Sequence, residues 1–176
     1  MRNVIGIVVI VALGVVGYFF SSGGSSAGAV AYNDRIIAMQ TRVVRGMIDF
    51  SKSFDAGDKS VMEKKYKELL STIQGVIKEA QSIEGFDGNT QFRDAAVEMF
   101  SFYDSIAKKE YKEIMDILTK ETPDETDLPR INEIVTSISQ REEQLDRKFQ
   151  GIQQAFARKH NIMLMDNKMQ KQIDNL

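Results

Sequence analysis

The fold is decided by residues 60–83, SVMEKKYKELLSTIQGVIKEAQSI. Apolar side chains recur in this stretch at alternating steps of three and four residues, which places them on one face of a helix. They are Met62, Tyr66, Leu69, Ile73, Val76, Ala80 and Ile83. This spacing predicts an amphipathic helix that packs against other helices with the heptad pattern of a coiled coil.

Three further segments show the same spacing, and they begin near Tyr32, Phe92 and Ile131. In the third segment of the chain the apolar stripe reaches Ile106 and then slips to Tyr111. No segment alternates between apolar and polar residues with a period of two, so the sequence predicts no sheet. We therefore expect an all-α fold with four helices.

The breaks between the segments carry residues that begin or end helices. Gly57 is expected to end the first helix, and the capping-box pattern from Ser60 to Glu63 is expected to begin the second. A loop at 122–129 contains both prolines of the chain. Short loops join antiparallel neighbours, so the sequence predicts an up-down-up-down four-helix bundle over residues 31–160.

The N-terminus contains residues 4–20, VIGIVVIVALGVVGYFF, which hold no charged side chain. As a helix this stretch would span about 25 Å, close to the thickness of a bilayer's hydrocarbon core. Arg2 precedes it and no cation follows until Arg35, which favours an orientation with the bundle outside the cytoplasm. The sequence therefore predicts a signal anchor at 1–20.

A Gly/Ser-rich stretch at 21–30 follows the apolar segment and is expected to be a tether. A cleaved signal peptide is the alternative, with small residues near Ala29 as the cleavage site and a secreted or periplasmic product. In either case we expect the bundle in a bacterial cell envelope. Residues 161–176 are polar and are expected to form a C-terminal tail.

Composition excludes several classes of function. The 176 residues have a net charge of −2, and no run of Lys and Arg is longer than two, so nothing in the charge favours nucleic-acid binding. The chain has no cysteine, which excludes disulfides, thiolate catalysis and Cys-ligated metals. We find no catalytic or phosphate-binding motif and expect neither an enzyme nor a bound cofactor or metal.

The only histidine, His160, lies near the end of the fourth segment. Its simplest role is that of a cation at a helix C-terminus. The alternative is haem ligation together with Met39 on the first helix, because an antiparallel bundle brings these two positions near the same end.

Polar residues interrupt the apolar stripes at Gln40, at Glu110 and at Arg141 or Glu142. Counted from the loop at 122–129, Glu110 and Arg141 fall at a similar height in the bundle. An ion pair between their helices would fix the register of the core, as polar core residues do in coiled coils. A polar layer that binds a ligand is the alternative.

An aromatic cluster in the third segment comprises Phe100, Phe102 and Tyr103. It offers more aromatic surface than one stripe buries. A thick core is one interpretation, and an exposed patch that binds a partner is the other.

Residues 31–40, AYNDRIIAMQ, resemble the start of an uncharacterised bacterial surface-protein family named from spirochaetes, which opens with a similar Tyr-Asn-Asp-x-Ile-Val-x-x-Gln. Residues 154–162, QAFARKHNI, resemble a later stretch of that family. The resemblance implies an exported domain and no particular activity, since the family has none assigned. The chain lacks the lipobox cysteine of its lipoprotein members, so residues 4–20 would have to provide the anchor.

The layout is also similar to that of LemA-type proteins, which combine one N-terminal membrane helix, a Tyr-Asn pair and an extracytoplasmic helical bundle. Their Arg-Arg and Ile-Pro-Asn-Leu-Val stretches are absent here.

The expected function is that of a non-enzymatic envelope protein, a membrane-tethered bundle that contacts another envelope protein. The alternative is an extracytoplasmic ligand-binding or sensor domain, whose ligand the sequence does not identify.

Overall fold

The computed structural model describes residues 27–55 and 57–164. The helices are α1 (Ala27–Ser53), α2 (Lys59–Ser82), α3 (Gln91–Ile106), α4 (Lys112–Leu118) and α5 (Asp127–Lys159). A π-helical turn (Ala107–Tyr111) joins α3 to α4, so these three form one rod. The described residues contain no β-strand, only an isolated bridge between Phe86 and Asn89. The predicted all-helical bundle is confirmed.

The core side of α2 follows the predicted stripe. Leu69, Ile73 and Val76 are at most 1% exposed, and Ala80 is fully buried. Burying a Leu or Ile side chain stabilises a fold by about 1.5–3 kcal/mol. The regular spacing in residues 60–83 therefore accounts for the packing of α2 without help from polar groups.

The start of α2 differs from the expectation. Asp58 is the N-cap, and its carboxylate accepts hydrogen bonds from the backbone N–H groups of Ser60 (2.8 Å) and Val61 (3.3 Å). The prediction that Ser60 caps this helix is wrong. Gly57 has a φ of +62°, which suits glycine, and the turn it forms brings Asp58 into the capping position.

The first helix begins at Ala27, before the predicted bundle boundary at 31, so the last part of the expected tether at 21–30 is helical. Ala29 is fully buried and packs with Ala157 and Ile162. The start of the predicted C-terminal tail is therefore also part of the packed structure. Residues 165–176 lie outside the described residues.

Aromatic rings close the core at the beginning of α1. The ring of Tyr32 lies 5.5 Å from those of Phe86 and Phe156, and Phe92 lies 5.2 Å from Phe156. These rings come from α1, the α2–α3 loop, α3 and α5. The four parts of the chain thus meet in one aromatic cluster.

A second aromatic group lies near the end of α1. Phe50 contacts Phe54 (4.8 Å between ring centroids), Tyr66 (5.8 Å) and Tyr111 (5.7 Å). Tyr66 is near the start of α2, and Tyr111 is the last residue of the π turn. The end of α1 therefore packs between these two parts of the chain.

None of the helices in the described part of the chain is both long enough and apolar enough to cross a membrane. The apolar segment at 4–20 lies outside the described residues.

Candidate functional site

The π turn is the local feature that builds the site. One extra residue in a helix rotates everything after it by about 100° relative to the residues before it. The wider π turn absorbs that residue, so that Ile106 and Ile114, on either side of it, are both fully buried. The turn itself directs Glu110 and Tyr111 inward, at 9% and 1% exposure. Such turns occur often at functional sites.

A buried hydrogen bond joins the rod to α5 one turn away. The Tyr103 hydroxyl donates to Oε1 of Glu142 at 2.8 Å, and both residues are 1% exposed. Burial raises the pKa of the Tyr103 hydroxyl well above its ordinary value of 10.0, and the negative charge of Glu142 raises it further. Tyr103 therefore stays protonated at neutral pH and serves as a donor.

Tyr111 contributes a second buried hydroxyl to this region. Burial raises the pKa of Tyr111, and the charges of Glu142 and Glu110 add to the effect. No hydrogen-bond partner for the hydroxyl exists in the described part of the chain. An unsatisfied buried polar group costs about 1–3 kcal/mol, so Tyr111 brings a penalty that its ring must offset.

Arg141 covers the outer side of the same layer. Its Nη1 lies 2.5 Å from Oε1 of Glu110, so the ion pair expected from the sequence is present. The guanidinium also lies 5.1 Å from the ring centroid of Phe102, a cation–π distance. Arg141 is 43% exposed at its side chain, and the pair is therefore screened by solvent.

An open groove of about 630 Å³ runs between α3 and α5 above this layer. It is lined by Glu98, Ser101, Phe102, Arg141, Gln144, Leu145 and Lys148. Lys148 pairs with Glu98 across the groove at 2.6 Å. The lining thus combines the apolar side chains of Phe102 and Leu145 with three charged side chains, two of which pair with each other. We call this feature the α3–α5 groove.

The aromatic cluster predicted from the sequence divides between core and surface. Phe100 is fully buried and Tyr103 is 1% exposed, so neither belongs to an exposed patch, contrary to that interpretation. Their positions on α3 turn them toward the other helices. Phe102 alone is partly exposed, and it lines the α3–α5 groove.

The two residues of the haem interpretation occupy different surroundings. Met39 is fully buried in the main core. His160 caps the C-terminus of α5, with its ring 5.0 Å from that of Phe86 and 4.6 Å from that of Phe156. The cavity beside His160 measures about 110 Å³, and Met39 does not line it. Ligand pockets are usually about 300–1,000 Å³.

Nothing in the described residues groups three or more His, Asp or Glu side chains in a way that could hold a metal ion.

Two further buried polar contacts were not predicted as such. Nε2 of Gln153 donates to Oδ1 of Asn33 at 2.9 Å, between α5 and α1. Gln40, fully buried, places its Nε2 3.8 Å from the sulfur of Met99, and its Oε1 has no partner among the described residues. Asn33 lies seven residues, one heptad, before Gln40 and therefore on the same face of α1. This spacing is the sequence feature from which the burial of Asn33 could have been predicted.

No family model, curated protein or solved structure matches this chain. The two likenesses read from the sequence therefore stay predictions.

Proposed function

We propose that this protein is a non-enzymatic component of a bacterial cell envelope, a helical bundle held at the membrane by residues 4–20. It binds another envelope protein through the α3–α5 groove. The observation that carries the proposal is the partly exposed Phe102 in the groove lining, with the guanidinium of Arg141 5.1 Å from its ring centroid. Aromatic residues and arginine are the types most enriched where proteins bind each other.

The surroundings of Phe102 favour a preformed binding surface. Arg141 is held from below by Glu110, and Tyr103, the neighbour of Phe102 in the chain, is fixed by Glu142. Side chains that are already ordered lose less entropy when a partner docks. The buried polar layer would thus position the groove rather than carry out chemistry.

We further propose that the bundle has the up-down-up-down arrangement. The aromatic cluster at Tyr32 brings together the start of α1, the α2–α3 loop and the end of α5. The group at Phe50 brings together the end of α1 and the start of α2. Helices that alternate in direction account for both groups.

The burial of Ala29 supports an uncleaved anchor over a cleaved signal peptide. A cut after Ala29 would remove the first turn of α1 and expose the surface of Ala157. The test is the intact mass of the native protein in carbonate-washed membranes and in the soluble fraction. A full-length mass in the membrane pellet is expected, and a soluble product beginning near Val30 would overturn the anchor.

The groove is tested with a photo-crosslinking amino acid at Phe102 in intact cells. The matched control is Gln74, an exposed position on α2. We expect one crosslinked protein from position 102, none from position 74, and loss of the product in Arg141→Glu. Equal crosslinking at both positions would contradict a specific groove.

A ligand-binding function is the second candidate, and it is favoured by one observation. The Tyr111 hydroxyl and the Gln40 carbonyl are buried polar atoms without partners in the described part of the chain. Polar groups aimed at a ligand have this property before the ligand binds. A ligand that pairs with Tyr111 would raise the Tm of the wild-type protein and leave that of Tyr111→Phe unchanged.

A further inference from the structure

The chain enters and leaves the described bundle at the same end. Ala29, in the first turn of α1, packs against Ala157 and Ile162, and Val30 and Leu164 lie beside them. The first described residues of α1 and the last described residues of the chain, up to Leu164, are therefore neighbours in space. We call this region, residues 27–30 together with 157–164, the tether end.

Chain length restricts the distance between the tether end and a membrane. Seven Cα–Cα steps separate Phe20 from Ala27, and even fully extended they span only about 25 Å. Helix α5 has 33 residues and is therefore about 50 Å long. An inserted segment at 4–20 would thus hold the tether end near the lipid, while the start of α5 has room to stay far from it.

Charge differs between the two ends of α5. At the tether end Arg158 and Lys159 are exposed, and neither takes part in an ion pair within the described residues. The α2–α3 loop beside them carries exposed Glu84 and Asp87, and Oδ2 of Asp87 lies 3.7 Å from Nδ1 of His160. The exposed loop before α5 carries Glu121, Asp124 and Glu125, with Lys120 paired to Asp124. An anionic membrane surface attracts Arg158 and Lys159 on the last turn of α5, whereas the loop before α5 has an excess of acidic side chains that such a surface repels.

An exposed apolar side chain completes the tether end. Met163 is 58% exposed, although the residue before it, Ile162, is buried at 8%. A flexible apolar side chain next to two cations matches the boundary between lipid headgroups and acyl chains, where cations meet phosphates and methylenes enter the lipid.

We propose that the tether end docks on the anionic headgroup surface of the bilayer, with Arg158 and Lys159 against lipid phosphates and Met163 in the interface. The inference rests on the membrane attachment proposed above. It adds an orientation, with the bundle standing on its tether end, and a lipid partner of defined charge.

The absence of cysteine makes a direct test available, because any introduced cysteine is the only one in the chain. The full-length variant Met163→Cys is labelled at its single cysteine with an environment-sensitive fluorophore. It is then reconstituted into vesicles of phosphatidylcholine alone and into vesicles that also contain phosphatidylglycerol. Leu128→Cys is the matched control, since Leu128 is 47% exposed at the start of α5. Quenching by lipids spin-labelled near the headgroup reports contact with the interface.

We expect strong quenching at position 163 in vesicles with phosphatidylglycerol and little at position 128. Each of Arg158→Gln and Lys159→Gln is expected to lower the ratio of docked to undocked protein roughly fivefold. Added salt should lower it as well, because it screens the cations. Equal quenching at both positions overturns the inference. Quenching at position 163 that is the same with and without phosphatidylglycerol overturns it as well.

Carbonate extraction of the same vesicles separates this inference from the proposed anchor. Protein that resists extraction but shows no preferential quenching at position 163 has an anchor without docking. Protein that is extracted yet quenched at position 163 docks without an anchor, which refutes only the proposed function. Protein that is extracted and unquenched refutes both.

Discussion

Helix α2 and the α3–α4 rod both have apolar residues at heptad spacing, but only α2 keeps this spacing without interruption. The buried residues of α2 are all apolar. The rod instead takes up an extra residue in its π turn and buries Glu110 and Tyr111 there. The comparison shows that apolar spacing suffices to build a helix into this core, whereas a polar layer here coincides with a local departure from α-helical geometry.

The largest expected effect comes from deleting one residue in each region. Deletion of Lys67, exposed on α2, rotates Leu69, Ile73 and the residues after them by about 100° away from the core. Each lost side chain removes about 1.5–3 kcal/mol, and together they approach the total stability of a domain. We expect no cooperative unfolding transition by far-UV circular dichroism.

Deletion of Lys109, exposed in the π turn, is the matched experiment. It removes the extra residue and lets the rod become a continuous α-helix with its flanking stripes in register. We expect a cooperative transition with a Tm within about 8 °C of the wild type. A protein that unfolds as completely as the Lys67 deletion would show that the π turn itself is required.

An intermediate effect is expected from removing single hydroxyl groups in the polar layer. Tyr103→Phe takes away the donor to the buried Glu142 carboxylate and should cost about 1–3 kcal/mol in denaturant unfolding. Tyr111→Phe removes a hydroxyl without a partner in the described residues and should be neutral or slightly stabilising.

The two variants differ from the wild type by the same single atom, so each is the control for the other. A marked loss of stability in Tyr111→Phe would mean that its hydroxyl has a bound partner, and it would favour the ligand-binding candidate.

The smallest effect is expected in the exposed loop outside both regions. Hydrogen bonds from the Thr126 side chain and backbone, and then from Lys120, lower the pKa of Asp124 from 3.8 to about 2. A lowered pKa in the folded state adds stability above the unfolded-state value, and this stability is lost as the pH falls through the folded value. Thermal melts should therefore show a higher Tm for the wild type than for Asp124→Asn at pH 5, and a clearly smaller difference in Tm near pH 2.

Glu121→Gln makes the same change of charge in the same loop and serves as the control. A difference between wild type and Asp124→Asn that persists unchanged at pH 2 would show that the effect is not electrostatic.

The candidate site was predictable in part. Glu110 and Arg141 could be paired from the sequence because both interrupt apolar stripes at a similar distance from one loop. Tyr103 could also be separated from Phe102, because Tyr103 lies on the apolar stripe with Met99 and Ile106 at steps of four and three residues, and Phe102 does not. The packing of α3 against α5 adds that the ring of Phe102 lines the groove.

The cap of α2 shows another limit. Ser60 and Asp58 are both good N-cap residues, and a sequence pattern does not choose between them. The choice depends on the turn at Gly57, whose positive φ sets where the chain first enters helical geometry.

The sequence by itself determined the helical segments, their order and the apolar face of each, because helix periodicity is a local property of the chain. The tertiary structure alone decided which of Arg141 and Glu142 enters the core, and Glu142 is the one that does. Arg141 and Glu142 are neighbours on α5, yet Arg141 pairs near the surface with Glu110 and Glu142 accepts from Tyr103 inside. That division arises between helices, where each side chain must find its partner on another part of the chain.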